Sequence, residues 1–311
     1  MQALQGNLFH GPFCTADKSV EMHGRQKCRD ARPCVSTYGR AFLKIQHPDF
    51  KMKNSISVII ITFNAAHHIN ACLASCAWCD EIIIVDSGST DNTVALCRSY
   101  TDKIFITDDW PGFGPQKNRA LDKATGEWVL SLDADERISA ILQQEIKDVI
   151  NQATETAFRL PRQSRYCGRW IKHSGWAPDY VIRLFRRESA RFSDDLVHEK
   201  VEVLQGKVGT LKTPLLHYAF NSLEEVLEKV NRYSSANAQQ HYAQGQQASL
   251  TKAIVHGLWA FVRTYLLRAG FLDGREGFML AVSNAEGTYY RYLKLRYLQE
   301  NVKNQCDSDH L

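Results

Sequence analysis

One stretch of the chain decides its fold: Trp128-Val129-Leu130-Ser131-Leu132-Asp133-Ala134-Asp135-Glu136, an apolar run that ends in an Asp-x-Asp pair. The apolar part predicts a strand that is buried on both faces. Side chains two residues apart in an extended segment point the same way, so Asp133 and Asp135 would face a common ligand. Carboxylates at a buried strand end are unfavourable unless a cation holds them, which favours a divalent metal that carries a diphosphate. The pair alone is a weak signal, since a solvated strand end or a helix cap often has the same sequence.

Strands and helices alternate upstream of this stretch. The run from residue 56 to residue 61 is almost continuously β-branched, as expected for a strand inside a parallel sheet. Strands of this kind, separated by helices, predict an α/β fold with a single doubly wound, mostly parallel sheet. We predict strands at 56–61, 81–85, 104–106 and 128–132, and helices at 65–76, 93–100 and 116–124.

Polar residues follow three of the predicted strands. Thr62-Phe63-Asn64 follows the first strand, Asp86-Ser87-Gly88 the second, and the Asp-x-Asp pair the fourth. The carboxyl ends of parallel strands meet at one edge of a sheet, and ligands bind outside that edge. The sequence therefore predicts a ligand site there. The Gly-x-Gly-x-x-Gly turn of dinucleotide-binding dehydrogenases is absent after the first strand, which argues against that class.

The composition is that of a globular protein with a sizeable core. The chain has 311 residues, 44% of them hydrophobic, and a net charge of +4. Residues 159–191 contain nine Lys and Arg against two acidic residues, which suits a phosphate-bearing ligand or a solvated surface. Nucleic-acid binding is not indicated, because the overall charge is low and no recognised module is present. No apolar run reaches about eighteen residues, so a membrane-spanning helix is not expected.

Cysteines and the first fifty residues bear on location and boundaries. Nine cysteines without a regular pairing pattern, and no recognisable secretory signal, indicate reduced thiols and a cytoplasmic protein. Cys72, Cys76 and Cys79 have helical spacing, but no second ligand pair follows, so core cysteines are favoured over a metal cluster. Residues 1–52 mix Gly, Pro, Cys and charges without a period, which predicts a disordered or mis-assigned extension. Met52 is then a candidate for the native start.

Three segments together resemble a known family. Residues 58–64, 84–93 and 132–136 are similar in order, spacing and strand context to family 2 of the inverting GT-A glycosyltransferases. Within that family the chain resembles most closely the lipopolysaccharide inner-core β-glucosyltransferases of Gram-negative bacteria. This finer resemblance, which extends to about residue 294, is carried by residues 109–114, 116–118, 196–199 and 270–274.

The resemblance implies roles for residues at the carboxyl edge. Thr62 and Asn64 would lie by the nucleoside, and Asp86 would contact the uracil or ribose. Asp133 would lie beside the ribose and donor sugar, and Asp135 would coordinate Mg²⁺ or Mn²⁺. For each of them, an end cap or a turn hydrogen bond is the structural alternative. The same donor site would include Ser87, Gly88, Lys117 and Arg183.

An inverting transfer also needs a base, because the acceptor hydroxyl loses its proton as it attacks the anomeric carbon opposite the diphosphate. The candidates are Asp194, Asp195 and Glu199, and Glu199 is favoured since the segment 196–199 resembles the base position of this subfamily. His198 would orient the base, touch phosphate or simply pack. The leaving diphosphate would be stabilised by the metal, with help from Arg183, Arg186 or Arg187.

Downstream segments suggest an acceptor site and a helical region. Trp170 and Trp176 are candidate walls of the acceptor site, or core residues, since aromatic rings beside arginines suit a sugar that carries phosphates. Helices are expected at 223–244 and 253–267. The second has Trp and Tyr beside Arg, which suits either a membrane interface or packing on the catalytic part. We therefore predict a catalytic domain at 53–220 and a helical region at 221–311.

Together these features predict a metal-dependent enzyme that transfers glucose from UDP-glucose to a heptose of the lipopolysaccharide inner core. We expect it in the cytoplasm, with peripheral contact to the inner membrane implied by the lipid-linked acceptor. A polyprenyl-phosphate or capsular glycan acceptor would use the same donor site. A silent nucleotide-sugar-binding protein is the alternative from another class, but it would need no base at Glu199.

Overall fold

The computed structural model describes residues 54–152, 154–194 and 199–308, with side chains up to residue 301. The predicted extension at 1–52 lies outside the described residues, and so do Asp195 and His198.

Twelve strands form among the described residues, ten of them in one mixed sheet. They are β1 (Ile56–Thr62), β2 (Glu81–Asp86), β3 (Ile104–Ile106), β4 (Trp128–Asp133), β5 (Glu136–Arg137), β6 (Ala157–Tyr166), β7 (Arg169–Trp170), β8 (Asp179–Arg186), β9 (Ala190–Phe192), β10 (Val201–Val203), β11 (Val208–Thr210) and β12 (Leu215–Phe220).

The large sheet has the order β3-β2-β1-β4-β8-β6-β12-β5, and β7 and β11 also pair with β6. Its first four strands are parallel, and β8 is inserted antiparallel between β4 and β6. Strand β12 pairs parallel with β6 and antiparallel with β5. Strands β9 and β10 form a separate two-stranded sheet. The carboxyl ends of β1, β2 and β4 lie at one edge, as the sequence predicts.

Seven α-helices are described: α1 (Ala66–Cys76), α2 (Thr93–Cys97), α3 (Phe113–Leu121), α4 (Ala140–Gln152), α5 (Leu223–Ala243), α6 (Leu250–Val262) and α7 (Gly274–Ser308). Helix α3 begins three residues before its predicted start. Gly112 is its N-cap residue, and the φ of 112° there is a conformation that glycine adopts readily. Helix α6 also begins earlier, since the Ser249 side chain accepts a hydrogen bond from the Lys252 N–H and caps it. A π-helical turn, Arg263–Leu267, follows it.

Helices cover both faces of the parallel strands, which confirms the doubly wound α/β class. Val58 and Ile60 of β1 face a core formed with α1, α2 and α4, whereas Ile59 faces a second core formed with α3. The alternation follows from the two-residue period of a strand. Because both faces are buried, β1 needs apolar residues at nearly every position, as its sequence provides.

Asp273, which lies directly before α7, anchors the C-terminal helices to the segment that follows β7. This buried carboxylate accepts hydrogen bonds from the backbone N–H groups of Lys172 and His173 and from the Ser174 hydroxyl. These bonds hold the pKa of Asp273 below its usual range, although burial alone would raise it. Helix α7 packs against both α5 and α6. None of the described helices is long and apolar enough to cross a membrane.

Candidate active site

A chain of three charged side chains lies at the carboxyl edge of the sheet. Asp133 ends β4, and its Oδ1 lies 2.9 Å from the Lys117 Nζ. The same ammonium lies 2.8 Å from Oε1 of Glu199. The Lys117 side chain is only 3% exposed, whereas that of Glu199 is 19% exposed. Lys117 is therefore a buried cation that joins the Asp-x-Asp segment to the predicted base.

The position of Lys117 follows from how α3 packs. Asn118 donates to the Phe192 carbonyl at 2.9 Å and accepts from the Phe192 N–H at 3.0 Å, so its amide pairs with β9 as a strand would. Near the start of the helix, Gly114 leaves no room for a side chain, since a Cβ there would lie 1.8 Å from the Ser193 carbonyl oxygen. These two contacts hold α3 against the segment before Glu199.

A second cation, Arg183 of β8, completes the surroundings of Asp133. Its Nη2 contacts the Asp133 carboxylate and lies 2.7 Å from Oε1 of Glu136. Burial tends to raise the pKa of Asp133, but Arg183 and Lys117 outweigh it and hold that pKa well below its usual range. Burial would lower the pKa of Arg183, yet Asp133 and Glu136 raise it. Both groups therefore remain charged at neutral pH.

Glu136 is a site residue that sequence reasoning did not assign. It is fully buried, its Oε2 accepts from the Asp133 N–H at 3.0 Å, and its Oε1 lies 3.6 Å from Nη1 of Arg162. The sequence does contain one signal for this role, which is the glutamate directly after the Asp-x-Asp pair. A glutamate that is buried there requires a cationic partner. That partner comes from β8 and β6, which no local pattern identifies.

Asp135 lies next to a histidine that the sequence also left unassigned. Nε2 of His217, on β12, is 3.5 Å from Oδ2 of Asp135. The other ring nitrogen is 2.8 Å from the Ser164 hydroxyl, which fixes the ring orientation. Burial tends to raise the pKa of Asp135, but the interaction with His217 outweighs it and lowers that pKa.

Asp135 and His217 fit a divalent cation. A carboxylate and an imidazole oriented by a hydroxyl are a common ligand pair for such ions. Among the described residues no group of three or more His, Cys, Asp or Glu side chains is arranged to hold a metal. Two protein ligands leave positions for the oxygens of water and phosphate, as Mg²⁺ prefers in nucleotide sites.

The loop after β2 is organised by Asp86. This residue is fully buried, and its carboxylate accepts from the Gly88 and Ser89 N–H groups and from the Thr62 and Ser89 hydroxyls, at 2.6–3.1 Å. Both oxygens are engaged within the protein. The predicted contact of Asp86 with uracil or ribose stays a prediction. The predicted position of Thr62 beside the nucleoside also stays a prediction, and this side chain is only 4% exposed.

Other predicted donor residues line the same loop. Asn64 is exposed with φ of 48°, and its Oδ1 accepts from the Thr90 N–H at 2.9 Å. The Ser87 hydroxyl accepts from the buried amide of Gln116 at 3.0 Å, which ties the loop to α3. Gly88 has φ of 81°, a conformation that favours glycine. These residues surround one loop at the carboxyl edge, and their nucleotide contacts stay predictions.

The structure corrects one sequence expectation and leaves a second one open. Arg186 pairs in register with Trp128 at the start of β4, and Arg187 donates its N–H to the Glu127 carbonyl. Both lie at the amino end of that strand, because β8 runs antiparallel to it, so the prediction that they assist the diphosphate is wrong. Trp176 is half-buried and stacks on Phe220 in an aromatic cluster that also contains Tyr166, so its role as an acceptor wall stays a prediction beside its role in packing.

The remaining candidates are placed as follows. Trp170 is half-buried with its ring edge-to-face against Tyr218, 5.3 Å between centroids. Asp194 is exposed. Cys72 and Cys76 lie on the buried face of α1, and Cys79 is partly buried.

Comparison with known proteins identifies the family. The model of the family described as glycosyl transferase family 2 matches residues 57–199. The lipopolysaccharide core biosynthesis glycosyltransferase LpsC of Rhizobium meliloti (strain 1021) is 32% identical over 269 residues, which cover 83% of this chain and 97% of LpsC. The chain belongs to glycosyl transferase family 2. The family membership predicted from the sequence is confirmed, and the mixed sheet with C-terminal helices is its GT-A fold.

Another relative and one solved structure are similar over most of the chain, and a second solved structure is similar over 37% of it. An uncharacterised glycosyltransferase of Rickettsia typhi (strain ATCC VR-144 / Wilmington) is 32% identical over 82% of this chain and 91% of its own length. The crystal structure of S. aureus TarS 1–349 has 17% identity and a TM-score of 0.41, and covers 79% of this chain and 92% of that one. Glucosyl-3-phosphoglycerate synthase from Mycobacterium tuberculosis, crystallised with Mg²⁺ and UDP, has 22% identity and a TM-score of 0.32 over 37% of this chain and 45% of that one.

Proposed function

We propose that this family 2 enzyme transfers glucose, with inversion, from UDP-glucose to a heptose of the lipopolysaccharide inner core. The observation that carries the proposal is the line of charged groups Glu199, Lys117 and Asp133 beside the pair Asp135 and His217. An inverting transfer requires a base on one side of the donor sugar and a cationic site for its diphosphate on the other. The lipopolysaccharide core assignment of LpsC supports the acceptor.

Glu199 is the base in this mechanism. Its carboxylate is partly exposed, so an acceptor hydroxyl can reach it, and it takes the proton as that hydroxyl attacks the anomeric carbon. Lys117 holds the carboxylate in place through a 2.8 Å ion pair. Because Lys117 also contacts Asp133, the base and the donor-side carboxylate are positioned by one buried cation.

The donor side is formed by the ends of β1, β2 and β4. The loop after β2 would hold the nucleoside, with Thr62, Asn64, Ser87 and Gly88 around it, while Asp86 keeps the loop in shape. Asp133 would orient the ribose and sugar, with Arg183 keeping its carboxylate ionised.

Asp135 and His217 would hold the divalent cation, Mg²⁺ or Mn²⁺. When bound, this ion stabilises the negative charge that develops on the leaving diphosphate. His217 contributes an oriented imidazole, because Ser164 engages its second nitrogen. Asp135 contributes a carboxylate whose lowered pKa keeps it deprotonated at neutral pH.

The enzyme is further proposed to work at the cytoplasmic face of the inner membrane, docked through α6 and the turn after it. Leu258 and Trp259 are more than half exposed, and the exposed charged residues between 249 and 278 are all basic, since Asp273 and Glu276 are buried. An apolar face with a basic rim suits an anionic bilayer. The exposed apolar residues are Leu250, Ile254, Val255, Leu258, Trp259, Leu266, Leu267, Phe271, Leu272 and Phe278, and the basic ones are Lys252, Arg263, Arg268 and Arg275.

Vesicle co-sedimentation tests this docking face. The wild type should bind vesicles that contain phosphatidylglycerol and not pure phosphatidylcholine, and Leu258→Ser should weaken that binding. Leu204→Ser is the matched control, because Leu204 has the same 64% exposure and lies outside the segment 249–278, directly after β10. Equal binding by both variants would contradict the assignment, and so would a concentration-dependent dimer that buries this face.

The reaction is tested by UDP release from a panel of UDP-sugars, with Mg²⁺ or Mn²⁺, with and without heptose-terminated lipopolysaccharide. We expect release from UDP-glucose that rises with this acceptor and stops when the metal is chelated. Release stimulated instead by a polyprenyl phosphate or a capsular glycan would reassign the acceptor. No release with any donor, together with intact UDP binding, would favour a nucleotide-sugar-binding protein.

A further inference from the structure

Two arginines surround one tyrosine ring beside the candidate metal site. The guanidinium carbon of Arg137 lies 3.7 Å from the centroid of the Tyr218 ring, and that of Arg165 lies 5.6 Å from it. Trp170 packs edge-to-face on the same ring at 5.3 Å. All four side chains are half-buried, so the cluster retains access to solvent.

The backbone connects this cluster directly to the catalytic residues. Tyr218 follows His217, and its N–H donates to the Asp135 carbonyl oxygen at 2.9 Å. Arg137 follows the buried Glu136 in β5, which pairs with β12. A ligand held at the Tyr218 ring would therefore be adjacent to the groups proposed to bind the diphosphate.

The two guanidinium groups differ from most arginines nearby, because they lack a carboxylate partner. No carboxylate of the described residues lies within ion-pair distance of Arg137 or Arg165, and the buried Nε of Arg165 has no hydrogen-bond acceptor there. Two guanidinium groups beside one ring repel each other and lose hydration, which a bound anion would offset. Most other arginines of the basic segment are paired: Arg162 with Asp179, Arg183 with Asp133, Arg186 with Glu127, Arg187 with Glu188 and Arg191 with Asp122.

We propose that Arg137 and Arg165, with the rings of Tyr218 and Trp170, form a subsite for an anionic group on the acceptor, a phosphate or a carboxylate carried by its sugars. This inference rests on the proposed transfer to a glycan acceptor. Guanidinium groups bind such oxyanions through paired N–H···O bonds, and the aromatic rings offer apolar faces to the C–H surface of a sugar. The subsite selects a charged core glycan over a neutral one.

Kinetics with matched acceptors test this selection. On the phosphorylated heptose acceptor, Arg137→Gln and Arg165→Gln should each raise the acceptor KM about tenfold and leave kcat within about twofold. On the same acceptor after removal of its phosphates, wild type and variants should share one KM if phosphate is the bound group. If carboxylate is the bound group, wild type and variants should share one KM only on an acceptor whose carboxyl groups have been reduced.

Arg159→Gln is the matched control, since Arg159 lies on the same strand and also packs on a tyrosine ring, at 5.3 Å from Tyr180. It should not change the acceptor KM. Arg165→Lys, which keeps the charge, should restore part of the affinity and guards against a variant that merely fails to fold. An equal KM increase for Arg159→Gln and Arg165→Gln would overturn the proposal.

A binding measurement separates this inference from the proposed reaction. The indole N–H resonance of Trp170, assigned by Trp170→Phe, should shift on titration with mannose 6-phosphate or glucuronic acid but not with mannose. Either anion supports the subsite and identifies its chemistry, even if no glucose transfer is found. A shift that mannose also produces, that persists in Arg137→Gln, or that saturating UDP abolishes by competition would overturn it.

Discussion

Replacing Arg183 with methionine should destabilise the protein more than any surface arginine change. Arg183 is buried with a side chain that is 8% exposed, and it contacts the carboxylates of Asp133 and Glu136. Methionine fills similar volume without charge, so the variant leaves Glu136, which is fully buried, without its nearest cation. Asp133 keeps its contact with Lys117.

The expected loss is about 3 kcal/mol in the free energy of unfolding at pH 7.5, at the lower end of the 3–5 kcal/mol typical when one partner of a buried ion pair is removed. For a domain of this size that corresponds to a fall in Tm of about 6–12 °C. The lower end applies because Lys117 still neutralises Asp133, and Arg162 lies 3.6 Å from Glu136.

The loss should depend on pH. The folded-state pKa of Asp133 is lowered, so its ionisation contributes stability above the unfolded value near 4 and loses that contribution as the pH falls through the folded value. In Arg183→Met the pKa of Asp133 is less depressed, so the gap to wild type should be constant above about pH 4 and should be narrower at about pH 3 than at pH 7.5.

Urea unfolding at both pH values is the assay, with Arg186→Met as the control. Arg186 lies on the same strand and pairs with Glu127, but these side chains are 32% and 42% exposed. Its loss should stay within about 1 kcal/mol, as for a surface ion pair. Equal losses for the two variants, or a loss for Arg183→Met that is the same at both pH values, would refute the reasoning.

Three further changes test the packing and electrostatics of the site. Gly114→Ala places a Cβ 1.8 Å from a backbone carbonyl and should lower stability by about 1–3 kcal/mol in thermal unfolding, whereas Gly287→Ala, with 3.7 Å of room in α7, should be neutral or stabilising. Asp86→Asn puts an amide against four donors and should weaken UDP binding, measured by calorimetry; unchanged affinity would separate the loop from the nucleotide site. Lys117→Met should lower kcat about a hundredfold in steady-state kinetics because Glu199 loses its positioning contact, and an unaltered kcat would contradict that role.

The strands could be predicted from the sequence because their signal is local. The run from residue 56 to residue 61 and the run 128–132 are apolar at nearly every position, and each strand extends only one residue further in the structure. The polar residues that end these strands converge at one edge by topology alone. The placement of Asp86, Asp133 and Asp135 at the carboxyl edge could therefore be anticipated from the sequence.

The other half of the site depends on strand pairings that no local pattern specifies. His217 reaches Asp135 because β12 pairs with both β5 and β6, whose residues are far apart in the sequence. Arg183 faces Asp133 because β8 is inserted antiparallel beside β4. The same antiparallel direction removes Arg186 from the site, although it lies only three residues from Arg183.

The central claim, that Glu199 is the base, is tested most directly by comparing Glu199→Gln with the wild type. Two quantities are measured for each protein: UDP affinity, and glucose transfer from UDP-glucose to heptose-terminated lipopolysaccharide. Loss of a general base predicts a fall in transfer of about 10²–10⁴-fold with UDP affinity unchanged and a β-linked product from the wild type. Full transfer by Glu199→Gln would contradict the account and move the base to another carboxylate.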